Sequence, residues 1–217
     1  MNRAAAAAEA DAYLLLGSHP LVARCLFIAP SKTYIELEYY PAGNLAAYMR
    51  AHHGDFTNAQ LVAFAGQMLE SVAYMHSKGI CHSALRLEAW LLDPTGTLRL
   101  SDFNNAAIPV HPLLRVPARP SLVLEQPSHC MPRMYTNGPG STVASDIFAL
   151  GSSLYELVSR RGPYEGEGLS LADYWKLYQE RKFPDTEGKP LSKEIKKCWM
   201  GEYGSVQDIL RDLQCSM

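Results

Sequence analysis

The segment from Gly79 to Asn104 constrains this chain more than any other. Leu91-Leu92 and Leu98-Arg99-Leu100 flank the turn sequence Asp93-Pro94-Thr95-Gly96, which predicts a small hairpin. A long helix is expected just ahead of it. From Asn58 to Ser77, the residues Leu61, Phe64, Ala65, Met68, Leu69, Val72 and Met75 recur at three- and four-residue steps, a core-facing stripe. Between helix and hairpin lies Gly79-Ile80-Cys81-His82-Ser83-Ala84-Leu85-Arg86-Leu87-Glu88-Ala89-Trp90, and Ser101-Asp102-Phe103-Asn104 follows the hairpin.

These flanking stretches resemble the catalytic loop and metal-binding motif of eukaryotic protein kinases, H-R-D-L-x-x-x-x-N and D-F-G. His82 falls on the family's His, Leu85 on its Leu, and Asp102-Phe103 on the first two residues of D-F-G. Two positions break the pattern. Ala84 stands at the catalytic Asp and Ala89 at the metal-binding Asn. The resemblance extends to both sides. His19-Pro20-Leu21-Val22 is similar to the H-P-N-I/V junction, and Tyr34 to Leu45 to the strand, hinge and helix start. Ser145-Asp146-Ile147-Phe148-Ala149-Leu150-Gly151 is similar to D-x-W-S-x-G, with Tyr155-Glu156-Leu157, Pro163-Tyr164 and Cys198-Trp199 behind it in family order. A divergent, largely fungal branch is closer still, and Ser83, Asn104 and Arg133 resemble its traits. Ala84 and Ala89 are this chain's own departures.

The resemblance implies an α+β protein kinase-like fold in a single domain. Residues 1–38 would be a remnant of the small lobe and residues 39–217 the helical large lobe. By the same register Leu37 is the gatekeeper, the Glu38 and Tyr40 backbones face an adenine, Leu91 forms its floor, and Asp102 contacts the metal. His82 would support the loop backbone, and Asp146 would accept backbone hydrogen bonds beneath it. ATP and Mg are the implied cofactors, held weakly or not at all. A positioned general base is worth on the order of 10²–10⁴ in rate, and the methyl of Ala84 offers neither lone pair nor charge. Ala89 removes an oxygen ligand from a hard cation that accepts little else. No residue is therefore assigned a catalytic role. The implied function is an inactive kinase-like domain, a pseudokinase, that binds or scaffolds proteins in signalling; the alternative is a residual ATP-dependent Ser/Thr kinase. Arg133 at the A-P-E position and Glu202 after Cys198-Trp199 are expected to form a reversed ion pair.

Nothing before His19 matches the family's Gly-rich loop or strand Lys. Residues 1–18 instead predict one helix, with an alanine run from Ala4 to Ala8 and Gly17 as its stop. Glu9 falls where the family carries its helix Glu, with no Lys to meet. The first small-lobe strands are expected either to be lost or to lie upstream of Met1; in the former case the apolar face of this helix and the following strands is expected to lie open and to take a protein partner. Twenty basic and twenty-two acidic residues give a net charge of −2, so neither nucleic acid nor a membrane is expected as partner. Five cysteines without C-x-x-C spacing suggest reduced thiols in a cytoplasmic or nuclear protein.

Strands are predicted over 25–28 and 33–38, and further helices over 44–51, 143–159, 170–180 and 205–213. Residues 104–142 carry seven prolines and little periodicity, so a mobile activation-type loop is expected there.

Overall fold

The computed structural model describes residues 3–52, 56–121, 125–132 and 140–215. Helix α1 (Arg3–Leu16) leads into the antiparallel pair β1 (Cys25–Ile28) and β2 (Ile35–Leu37). Then come α2 (Leu45–Ala51), α3 (Asn58–Ser77) and the hairpin of β3 (Trp90–Leu92) and β4 (Leu98–Leu100). Helices α4 (Val143–Ser159), α5 (Leu171–Gln179), α6 (Ser192–Met200) and α7 (Val206–Cys215) complete a mostly helical body.

Local chemistry sets most of these boundaries. Thr57 opens α3 with a capping box: its hydroxyl accepts from the Gln60 N–H at 3.3 Å and its own N–H donates to Gln60 Oε1 at 2.8 Å. Thr142 with Ser145 and Ser170 with Asp173 do the same for α4 and α5. Helix α6 carried no such signal and the sequence reading missed it. Its N-cap Leu191 sits at φ 62° with no side-chain bond, and its buried residues are only Glu194, Ile195, Cys198 and Trp199 among four lysine or glutamate positions. Strand β2 is shorter than the predicted 33–38. The chain turns through Lys32 at φ 53°, where the Lys32 N–H donates to the Ala29 carbonyl at 2.8 Å.

Helix α4 runs through the core, buried from Ser145 to Tyr155. Gly151 lets α6 approach it, because a Cβ at that position would lie 2.6 Å from the Cys198 Cβ. Trp199 locks the contact by donating its Nε1–H to Ser152 Oγ at 3.0 Å and stacking on Phe183 at 5.1 Å.

Helix α1 is not open as expected. Every residue from Ala8 to Tyr13 is buried. The Phe103 ring meets Tyr13 edge-on at 5.2 Å, and Arg119 Nε donates to Asp11 Oδ2 at 2.7 Å, so the loop after Asp102 wraps the helix. Lys32, from the turn between β1 and β2, also pairs with Asp11. The large apolar residues left exposed here are Leu14 on α1, Leu26 and Phe27 on β1, and Tyr34 just before β2. Arg133, expected opposite Glu202, lies outside the described residues. Among those residues, no helix is long and apolar enough to cross a membrane.

Candidate functional site: a cleft organised by Asp146

The stretch between α3 and β3 contains a short helical turn, Leu87–Ala89, and is held by a backbone bridge from Cys81 to Ala107 and by side chains. Asp146, in the first turn of α4 and fully buried, accepts the His82 N–H at 2.7 Å and the Ser83 N–H at 3.0 Å. The His76 ring donates its Nε2–H to the same carboxylate at 2.9 Å. Ser83 needs this support, because it sits at φ 68°, a left-handed conformation unusual for a side chain with a Cβ. His82 is buried against Phe103 and donates Nε2–H to the Ser101 carbonyl at 2.9 Å. Burial holds its pKa below the usual imidazole range. His82 is therefore a brace between the loop and the end of β4.

Fold places Cys81 near His76 and Asp146, with one ligand atom of each within 4.8 Å of the others. Physical chemistry argues against a cation there. The Asp146 oxygens already accept three hydrogen bonds, and burial, with Asp146 beside it, pushes the Cys81 thiol up to about 12.

The structure brings Asp102 and Ala84 to one cavity of about 210 Å³, together with Arg86, Asn104, Asn105 and Gln126. Asp102 adopts a left-handed conformation at φ 64°, and Asn104 Nδ2 donates to its Oδ1 at 2.6 Å. Glu9, on α1, faces the same turn. Burial, then the Asp102 charge, pushes its carboxyl up to about 7, while a hydrogen bond from the Phe103 N–H pulls it back. Glu9 thus meets the Asp102-Phe103 turn where the resemblance implied a Lys.

The adenine-side residues occupy a separate region. The Glu38 N–H donates to the Arg24 carbonyl at 2.9 Å, and the Tyr40 carbonyl accepts from the Gly43 N–H at 3.0 Å. The Tyr40 side chain is buried; its hydroxyl accepts from the Arg24 N–H at 3.0 Å. Leu91 lies beneath this segment, bridged to Asn44. The Glu38 side chain lines a different cavity of about 870 Å³, together with Tyr13, His19, Arg24, Phe27 and Arg99. Of the predicted binding residues, Glu38 lines that cavity while Tyr40, Leu91 and Asp102 do not.

These residues do not fit the family's pair of magnesium ions. Ala89 presents no side-chain oxygen, its carbonyl is taken by Ser101, and one oxygen of Asp102 is engaged by Asn104. Asp102 Oδ2 is the one candidate contact that survives from the motif.

A helical lobe, a hairpin after the His82 loop, and Asp146 beneath that loop define a protein kinase-like domain of α+β class. The protein kinase domain family matches residues 2–213, and the chain belongs to it. The chain is similar to Serine/threonine-protein kinase PDK1 of Cryptococcus neoformans var. grubii, at 28% identity over 202 residues, covering 89% of this chain and 16% of that protein. It is similar to CBL-interacting serine/threonine-protein kinase 1 of Arabidopsis thaliana, at 29% identity over 164 residues, covering 75% and 35%. CBL-interacting protein kinase 1 of Oryza sativa subsp. japonica is 30% identical over 176 residues, covering 80% and 36%. The chain spans between 16% and 36% of the length of these relatives.

Proposed function

We propose that this protein kinase domain is catalytically silent and acts by binding other proteins. The observation that carries this reading is the cavity where Ala84 faces Asp102: the position that should accept the hydroxyl proton is a methyl group. Loss of a general base costs ~10²–10⁴ in rate, and Ala89 removes a ligand for the cation that would neutralise the phosphates. ATP and Mg are at most weakly held, through Glu38 and Tyr40 backbone groups, Leu91 and Asp102. The protein partner docks on the exposed face of the β1–β2 pair, where Leu26, Phe27 and Tyr34 stand in water.

A thermal melt of residues 1–217 with and without ATP and Mg²⁺ tests this, alongside transfer of labelled phosphate to a generic Ser/Thr substrate. A ligand at ~100 times its dissociation constant adds about 2.7 kcal/mol of stability. The expected result is a cooperative melt that stays in place and no phosphate transfer. An upward shift with phosphate transfer that Asp102→Asn abolishes would establish the residual-kinase reading instead.

A further inference from the structure

Two surface features lie away from this cleft. The first is the loop after Asp102. Ile108 and Arg119 exchange both backbone hydrogen bonds, at 2.8 and 2.9 Å, and His111 and Val116 do the same, at 2.9 and 3.1 Å. Ile108 and Val116 are buried, and Arg119 anchors the base of the loop on Asp11. The tip is also ordered, since His111 Nδ1 accepts the Leu114 N–H at 3.3 Å. Yet the side chains it presents are apolar: Val110 is 63% exposed, Leu113 91% and Leu114 45%. They are three of the eight large hydrophobic residues exposed among the described residues. A clasped loop has already met the entropy of ordering, so its apolar tip is preorganised for binding.

The second feature is a groove of about 490 Å³ between α3 and α7, lined by Ala59, Val62, Ala63, Gly66, Leu210 and Leu213. Its floor is a glycine inside a 20-residue helix, where alanine would be more favourable. A Cβ at Gly66 would meet nothing within 4 Å, so no neighbour among the described residues requires the glycine. What the missing side chain provides is open depth in the groove.

The two features complement one another in charge. Residues 106–121 contain no Asp or Glu, and with Arg119 engaged by Asp11 the positive charge at the tip is Arg115. The groove carries Glu70 on its lining. We infer that the α3–α7 groove of one copy receives the Val110–Arg115 tip of a second copy. Knob and groove belong to different elements, so the contact is heterologous. The second copy's groove stays free, and association continues head to tail as concentration rises. This contact is independent of whether the cleft transfers phosphate.

Sedimentation velocity over a broad concentration series tests the inference, using the wild-type chain, Leu113→Asp and Gly66→Leu. Both substitutions fall on open surface, and the thermal melt of each variant reports whether it is folded. The wild-type sedimentation coefficient should climb with concentration, while each variant alone stays monomeric. A mixture of the two variants should form a dimer and stop there, because Gly66→Leu retains the tip and Leu113→Asp retains the groove. A wild-type chain that stays monomeric throughout would overturn the inference. So would wild-type association that either variant leaves intact, or a mixture that does not pair.

Discussion

Asp146 accepts two backbone N–H groups and an imidazole N–H while fully buried, so three donors depend on one carboxylate. Asp146→Asn replaces one of its acceptor oxygens with an NH₂ facing donors. We expect a loss of about 3 kcal/mol in urea unfolding, with the denaturant slope unchanged. Glu156 supplies a pH test. Burial, then Glu88 and Glu165, raise its pKa from 4.5 to about 7 in the folded chain. Between those values the folded state keeps a proton that the unfolded state has released, so stability falls as pH rises through that window. His129 works oppositely. Burial, then Arg86, lowers its pKa from 6.5 to about 3, so stability is lost as pH falls below 6.5. Urea midpoints across the pH range should show Glu156→Gln losing the decline between 4.5 and 7 while keeping the acid-side decline due to His129. Asp146 was legible in the sequence because its motif carries its role. Asp11 was not: its partners, Lys32 and Arg119, lie 21 and 108 positions away, and an acid in an alanine helix reads as a solvated face.

At the scale of elements, polar starts were readable and clasped loops were not. Helices α3 and α4 fall on their predicted limits, because capping boxes and apolar stripes are local signals. Prolines and absent periodicity after Asp102 describe a loop without describing its ties. Among the described residues those ties are pairs such as Ile108 with Arg119 and Cys81 with Ala107, and no spacing rule joins those residues. Arg119→Ala should leave Asp11 with Lys32 as its remaining ion-pair partner among the described residues and loosen this loop from α1. We expect a stability loss of about 1–3 kcal/mol and trypsin cleavage after Arg115 faster by ~10-fold for each 1.4 kcal/mol of weakened clasp. If cleavage after Arg115 is unchanged in Arg119→Ala, the ion pair does not hold the loop.

At the scale of the whole molecule, one apolar cluster runs from Tyr13 and Leu16 on α1 to Ile209 and Leu213 on α7. Trp90 in the hairpin and Trp199 on α6 belong to that same cluster. Unfolding followed by tryptophan emission and by far-ultraviolet circular dichroism should therefore trace one coincident transition. Separate midpoints would show that α1 and the strand pair melt as a unit of their own. The kinase-like lobe was readable from motifs in order, whereas the enclosure of α1 was not, since it depends on a loop returning across the molecule.

Ala89 has a further consequence. Its side chain is fully buried, and its carbonyl accepts both the Ser101 N–H at 2.8 Å and the Ser101 hydroxyl at 2.9 Å. An asparagine placed there must push into a packed interior, and such overfilling costs about 1–3 kcal/mol. Placing Asp at 84 and Asn at 89 together would thus set the family's motif residues against a strained core. Any route to an amide at position 89 must therefore first change the neighbours packed around it.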